Sequence, residues 1–305
     1  MVSPLTGLQI RVPASIANLG PGFDTLAVAV ELYLNLSVTI VEGQNQLYFE
    51  FPDCHFDGEN YIERAFHFAA RQRGASFPSL HVEVRTEIPM RSGLGSSAAA
   101  TVAGLRLYEA VAGPLPEQGL LNAACALEGH PDNVAAALLG GLTISCQLPD
   151  RSAFAVKLDW PPSLRFLVLT PQYALSTADA REALPEFISR EDAVFNLQRI
   201  ALLLQAVQSG NRSLLREALH DRIHQPYRQK LVPALEELLA LEHPDLLGVC
   251  LSGAGPSIVG LAEQNFDQIE ELFSAAYQKT GLPFTIRCLA AHHECVAVPQ
   301  PVGTH

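Results

Sequence analysis

The chain has 305 residues, 48% of them apolar, with 32 acidic side chains against 20 lysines and arginines and a formal charge of −12. That length and apolar content suit one large domain or two lobes with a sizeable core, and they exclude a disordered chain. The acidic balance argues against nucleic acid and anionic membranes as partners, so an anionic ligand has to be held by local groups.

Met1 to Ile10 carries neither a basic start nor a long apolar run, and no stretch of about 18 apolar residues follows, so no signal peptide or membrane span is expected. A cytoplasmic protein is the expectation. Leu8 to Ala14 reads as a strand, and Leu32 to Ile40 alternates apolar and polar residues with period two, as a half-buried strand does. Gln46 to Phe51 and His81 to Ile88 are further strands, with a helix over Tyr61 to Arg73 between them. A small-residue helix runs from Ser96 to about Ala112 and stops at Gly113-Pro114. Glu117 to Leu127 is a second helix, and Pro131 opens a third that ends at Gly140-Gly141. Leu142 to Leu148 is a strand. Beyond Asp150 comes a proline-rich joint, Trp160-Pro161-Pro162, and then a strand over Leu164 to Leu169.

Helices are expected over 178–184, 186–208, 211–222 and 229–242, then strands Leu247 to Leu251 and Ser257 to Leu261 around a glycine turn. A helix over 265–280 and strands over 284–289 and 294–298 close the chain. The mixture lacks regular βαβ alternation, so the fold class is α+β. The joint places a lobe boundary between residues 1–155 and 156–305. The six cysteines form no CxxC pair and are expected to be reduced core thiols. His292-His293-Glu294-Cys295 is not expected to hold a metal, because neighbours on a strand point to opposite faces.

The stretch with the clearest chemistry is Pro89-Met90-Arg91-Ser92-Gly93-Leu94-Gly95-Ser96-Ser97-Ala98-Ala99, which follows a strand and opens a helix. Its glycines permit positive φ and close backbone approach, its serines can cap the helix or donate a hydroxyl, and the free N–H groups of a helix start attract anions. It has no lysine of the GxxxxGK[ST] kind, and a GxSxG nucleophile elbow is absent.

Three more segments accompany it. Arg11-Val12-Pro13-Ala14-Ser15-Ile16-Ala17-Asn18-Leu19-Gly20-Pro21-Gly22-Phe23-Asp24 lies near the start, and Glu128-Gly129-His130-Pro131-Asp132-Asn133-Val134 follows the second helix. Leu251-Ser252-Gly253-Ala254-Gly255-Pro256-Ser257 is a late glycine-rich turn. Together with Ser176 to Arg181 and Asp221 to Arg228, these resemble the ordered motifs of the GHMP superfamily of small-molecule kinases, in the form carried by its homoserine kinase family. The resemblance spans residues 11 to 257. The chain departs from it at Ile16, where Ser or Thr is usual, and at Arg91, where Gly is common.

The resemblance implies a two-lobed fold with the nucleotide in the cleft, Mg²⁺ with ATP as donor, and L-homoserine, an intermediate of threonine biosynthesis, as acceptor. A homodimer is common among such kinases. Residues Pro89 to Ala99 would form the nucleotide loop. Glu128 and a loop serine, Ser96 or Ser97, would hold Mg²⁺, which takes oxygen ligands. Asp24 would meet the α-ammonium, Arg181 and Arg228 the α-carboxylate, and Asn18 and Asn133 the hydroxyl and backbone ends. Thr177 would touch the γ-phosphate. Mevalonate kinases have an aspartate at the place of Asn133, and an amide cannot take a proton, so a mechanism without a protein base is expected. A GHMP kinase for another alcohol and a non-catalytic ligand-binding regulator of the same fold remain as alternative readings.

Overall fold

The computed structural model describes residues 6–53, 58–74 and 76–297. Its architecture is α+β. Strands β1 (Thr6–Ala17), β2 (Leu26–Gln44), β3 (Leu47–Glu50), β4 (Pro78–Thr86), β5 (Leu142–Gln147) and β6 (Ala153–Leu158) form one sheet. β2 is its spine. Over its 19 residues it pairs antiparallel with β1, β4 and β5, while β3 lies parallel to β4. Its alternating residues Leu32, Leu34, Leu36 and Val38 are buried, as period two requires.

Helices α1 (Tyr61–Arg73), α2 (Ser96–Ala112), α3 (Glu117–Glu128) and α4 (Asp132–Leu139) cover this sheet. α2 is the central one. Nearly every side chain from Ala98 to Glu109 is buried, and the helix packs against α1, α3, α4 and β1. Its small residues allow those close approaches. The one buried ion pair in α2 fixes how the helix ends. Arg106 Nη1 donates to Glu109 Oε2 at 2.7 Å, and Glu109 Oε1 accepts the Leu115 N–H at 2.8 Å just past Gly113-Pro114.

The second sheet is antiparallel, in the order β10 (Phe284–Leu289), β7 (Arg165–Pro171), β9 (Ile258–Ala262), β8 (Gly248–Leu251). Helices α5 (Thr177–Glu182), α6 (Arg190–Ser209), α7 (Leu215–Ala218), α8 (Gln225–Arg228), α9 (Leu235–Leu239) and α10 (Phe266–Gln278) surround it. The chain after β10 returns to the first sheet, where Gly141 donates to His292 O and Val296 to Leu138 O.

Several expectations need correction. The boundary at 155/156 falls inside β6, which pairs with β5, and the chain changes sheet only at Trp160-Pro161-Pro162. β6 shows no apolar alternation because it is an edge strand that exposes Phe154 and Val156. The helix expected over 211–222 is a 3-10 turn, Arg212–Leu214, followed by the short α7. It stops because the Asp221 carboxylate captures the N–H groups of Ile223, His224 and Gln225. Of the helix expected over 229–242 only α9 forms, because Pro233 and the left-handed Ala234 at φ 57° interrupt the segment, and the short α8 ends before it at Arg228. The strand expected over 294–298 is irregular over 294–297, and residue 298 lies outside the described residues. Of the expected core thiols, Cys125 and Cys250 are buried and Cys288 is half-buried. Cys146 and Cys295 are exposed, and Cys54 lies outside the described residues. Among the described residues no helix is long and apolar enough to cross a membrane.

Glu109→Ala would leave the Arg106 guanidinium buried without its best partner and free the Leu115 N–H. The expected outcome in urea denaturation is a loss of about 3–5 kcal/mol in unfolding free energy. A loss below about 1 kcal/mol would show that Glu117, which reaches Arg106 Nη2 at 3.2 Å, suffices alone.

Candidate functional site in the cleft between the sheets

The loop between β4 and α2 is held from both sides by its carbonyls. Ser15 N donates to Leu94 O (3.1 Å), Ser252 Oγ to Gly93 O (2.7 Å) and Ser257 N to Ser92 O (3.0 Å). Within the loop, Ser92 Oγ donates to Pro89 O at 2.7 Å. No side chain caps α2, so the N–H groups of its first turn are left for a ligand. The two glycines are required by space as well as by conformation. At Gly93 (φ 81°) a Cβ would lie 2.4 Å from Ser252 O, and at Gly95 (φ 69°) it would lie 2.2 Å from Ser15 Oγ. Arg91 also has a left-handed backbone, φ 54°. Glycine reaches the same conformation without a Cβ clash, so the backbone here favours glycine, and nothing in the structure explains the arginine.

Glu128 ends α3 beside this loop. Ser97 Oγ donates to its Oε2 at 2.6 Å and Thr101 Oγ1 to its Oε1 at 2.8 Å. Of the two loop serines, Ser97 is therefore the one next to the carboxylate. Thr101 was not foreseen, although its i+4 spacing from Ser97 on one helix face is a signal. The oxygen-only set of Glu128, Ser97 and Thr101 fits a hard divalent cation.

Asn133 links the loop to a second cluster. Its Oδ1 accepts from Ser15 Oγ at 2.8 Å and would lie 3.0 Å from a Cβ at Gly95. Its neighbour Asp132, almost fully buried, accepts at Oδ1 from the Asn133 N–H (2.8 Å) and from His130 Nδ1 (2.6 Å). Burial alone would lower the His130 pKa, but the hydrogen bond to Asp132 and its charge outweigh burial and raise it. Polar atoms of Asp24, His130 and Asp132 all lie within 4.8 Å of one another.

Arg181, on α5, closes this cluster with a two-pronged ion pair to Asp24, at 2.7 and 3.0 Å. Burial would lower its pKa, and the hydrogen bonds and charge of Asp24 more than offset that. Thus Asp24 and Arg181, expected to meet opposite ends of one ligand, meet each other in the ligand-free protein. Arg228 is nearby, since the two guanidinium carbons stand 5.6 and 5.4 Å from the Phe23 ring centre.

Two expected ligand contacts are engaged within the protein. Arg228 is 2% exposed and donates from Nε to Ala180 O and from Nη1 to Gly253 O and His224 Nδ1. Burial, and after it the charge of Arg181, pull its pKa down to about 10. Only its Nη2 makes no hydrogen bond among the described residues, so Arg228 lacks the free fork expected of it. Asn18 donates from Nδ2 to Gly253 O (3.0 Å) and accepts the Asp24 N–H at Oδ1 (3.1 Å), which fixes the 18–24 loop. Thr177 opens α5, exposed and without a side-chain hydrogen bond among the described residues.

The support behind these groups was not foreseen. Asp221 also accepts from Asn196 Nδ2 (2.7 Å), which reaches Pro21 O as well. His224 is fully buried, stacks on Phe23 and donates from Nε2 to Gly20 O at 2.7 Å, so its Nδ1 is the acceptor for Arg228. The ring is therefore neutral. Burial, opposed by Asp221 and aided by Arg228, lowers its pKa. A histidine with a depressed folded pKa contributes stability that is present above its unfolded value, about 6.5, and is lost as pH falls below it. Unfolding free energy should therefore drop between about pH 7 and pH 5 more steeply in wild type than in His224→Gln, by up to about 1.4 kcal/mol per pH unit. Parallel slopes in urea titrations would mean that the ring takes up its proton in place.

Comparison with known proteins agrees with this arrangement. The family model described as GHMP kinases N terminal domain matches residues 60–141, and that of GHMP kinases C terminal matches 203–280. The homoserine kinase of Solibacter usitatus is 40% identical over 286 residues, 90% of this chain and 91% of its own. That of Deinococcus radiodurans is 43% identical over 87% of each chain. The crystal structure of homoserine kinase from Cytophaga hutchinsonii superposes with a TM-score of 0.82 over 96% of both chains at 24% identity, a likeness of fold. On these matches the chain belongs to the homoserine kinase family of the GHMP kinases.

Proposed function

We propose that the chain transfers the γ-phosphate of ATP to the side-chain hydroxyl of L-homoserine, giving O-phospho-L-homoserine and ADP, in the cytoplasm. The observation that carries the site assignment is the junction at Asn133, which joins an anion-ready loop to a cluster of opposite charges. A zwitterionic amino acid suits that cluster. Asp24 and Asp132 offer carboxylates to the α-ammonium, and Arg181 offers its fork to the α-carboxylate once the ligand replaces the Asp24–Arg181 pair. Mevalonate and sugars lack the ammonium that two carboxylates would hold.

The loop N–H groups and the start of α2 would bind the phosphates, with Ser97 and Glu128 turned toward the same end. A Mg²⁺ ion held by Glu128 and Ser97 would neutralise charge on the phosphate oxygens. The substrate oxygen forms its bond to Pγ as the bond to the ADP oxygen breaks, and the hydroxyl proton leaves late, to the transferred phosphate or to water. Asn133 orients the hydroxyl and takes no proton, because its amide is not basic. Asn18 and Arg228 act as positioning residues, and Thr177 lies one helical turn before Arg181, where a closing cleft would bring it to the γ-phosphate. Catalysis then rests on alignment and charge neutralisation.

A coupled ADP-release assay with homoserine, mevalonate and galactose tests the assignment. Turnover with homoserine alone is expected; preference for another alcohol, or no turnover at all, would overturn it. Glu128→Gln keeps the size of the side chain and removes its charge, so kcat should fall at least ~100-fold. Near-normal turnover at ordinary magnesium would remove Glu128 from the metal site.

Arg181 tests the acceptor end. Its side chain is 38% exposed, so the loss on Arg181→Ala is smaller than for a fully buried pair. A fall of about 10- to 100-fold in kcat/KM for homoserine is expected, with the KM for ATP little changed. Arg181→Lys should recover part of it. Equal losses toward ATP and homoserine in initial-rate kinetics would assign Arg181 to the phosphates instead.

A further inference from the structure

Arg228 takes its direction from a neighbour that the mechanism above does not use. A guanidinium is planar, so two engaged nitrogens fix where the third points. Nε donates to Ala180 O, and Nη1 to Gly253 O and His224 Nδ1, which leaves Nη2 for a carboxylate. Two of these three anchors are backbone carbonyls. Only His224 can change what it offers. The same ring reaches the other wall of the cluster. Its Nε2 donates to Gly20 O at 2.7 Å, and it stacks on Phe23 with ring centres 5.4 Å apart and planes at 26°. Gly20 is itself packed against the end of α7, where a Cβ would lie 2.1 Å from Leu219 O. Gly20 and Phe23 belong to the loop that carries Asn18 and Asp24. One fully buried ring therefore ties α8 to that loop.

The tie requires a neutral ring. A protonated imidazole donates from both nitrogens, so Nδ1–H would face Arg228 Nη1–H and two cations would meet out of water. The charged and titratable groups around the ring come from four elements. Asp221, before α8, holds Oδ2 at 3.5 Å from Nε2, Asp24 and Arg228 act on the ring through their charge, and Arg181 lies across Phe23. The Cys250 thiol of β8, beside Gly20, is neutral, since burial pushes its pKa up to about 12. Asp221 already accepts three backbone N–H groups and Asn196 Nδ2, so it is poorly placed to take on an imidazolium as well. Burial outweighs both carboxylates and lowers the pKa of the ring.

We propose that His224 is a positioning residue for the acceptor: its neutral ring, clamped between Gly20 and Arg228, sets the direction of Arg228 Nη2 toward the α-carboxylate and locks that arginine to the loop of Asp24. The inference rests on the reading of this cluster as the homoserine site. Protonation of the ring releases Arg228 Nη1, so capture of homoserine is linked to a proton while binding of the nucleotide is not.

The test follows initial rates of wild type, His224→Gln and His224→Leu from about pH 5 to pH 8.5, with homoserine and ATP varied and circular dichroism recorded at each pH. Glutamine offers a donor and an acceptor without titrating, so the ratio of wild type to His224→Gln cancels the titration of the substrates. Taken as kcat/KM for homoserine, that ratio should fall below about pH 6.5, by up to about tenfold per pH unit. Taken as kcat/KM for ATP at saturating homoserine, it should stay level. At neutral to alkaline pH, His224→Leu should lose about 10- to 100-fold in kcat/KM for homoserine, because Arg228 and Gly20 O each lose a partner. His224→Gln should recover most of that loss. A homoserine ratio that is level with pH, or that falls equally for ATP, would overturn the inference whether or not His224→Leu folds, and would leave the cluster as the homoserine site. Wild-type protein that turns over no homoserine at any pH would sink the functional reading and this inference with it.

Discussion

Gly253 donates its N–H to Ala17 O, and its carbonyl accepts from both Asn18 Nδ2 and Arg228 Nη1. Through this residue the end of β1, the loop that carries Asp24 and the helix that carries Arg228 are fixed relative to one another. Its neighbour Ser252 adds the hydrogen bond to Gly93 O, so the loop before α2 is referenced to the same turn. The cleft is consequently a set of backbone carbonyls tied together by side chains from both sheets. Side chains wider than hydrogen at Gly93 or Gly95 would push these strands apart before any ligand arrived. Close packing of polar backbone, rather than a large apolar wall, sets the geometry here.

The two arginines of this cluster differ for a physical reason. Arg228 is almost fully buried with the carbonyls of Ala180 and Gly253 as partners, and burial, followed by the charge of Arg181, pulls its pKa down to about 10. Arg181 is partly exposed and meets a real counter-charge in Asp24. An ion pair open to solvent exchanges partners at little cost, whereas a buried guanidinium bound to carbonyls does not. The exchangeable pair is thus the part of the cluster suited to admitting a zwitterion, and the buried arginine is suited to shaping the floor beneath Phe23.

Much of this was legible in the sequence because the chemistry is concentrated in short segments. Ser97, Glu128, Asn133, Asp24 and Arg181 lie within them, and the structure brings all five to one cleft. His130, Asp132, Ser15 and His224 lie in the same segments but were passed over, because a spacing says which residues are near and not which of them face the ligand. Thr101 and Asn196 lie outside those segments and act through helix geometry and a contact across 175 residues of chain. The helical expectations failed between 211 and 242, where Asp221 and Pro233 override the apolar periodicity. β6 was missed because its outward residues are as apolar as its inward ones, so period two carries no signal there.

Asn133 shows what the arrangement asks of its residues. A carboxylate at that position would stand next to Asp132, already engaged with His130 and the Asn133 N–H, and close to Gly95 in the loop before α2. Negative charges so placed repel one another. An amide instead presents a neutral group, held by the Ser15 hydroxyl, at the boundary between the anion side and the zwitterion side. In a chain whose net charge is −12, an uncharged side chain there adds no further negative potential beside the uncapped start of α2. Under the phosphoryl transfer proposed above, the cost would be a weaker pull on the hydroxyl proton, which a loose transition state tolerates because the nucleophile needs little activation before the bond to phosphorus forms.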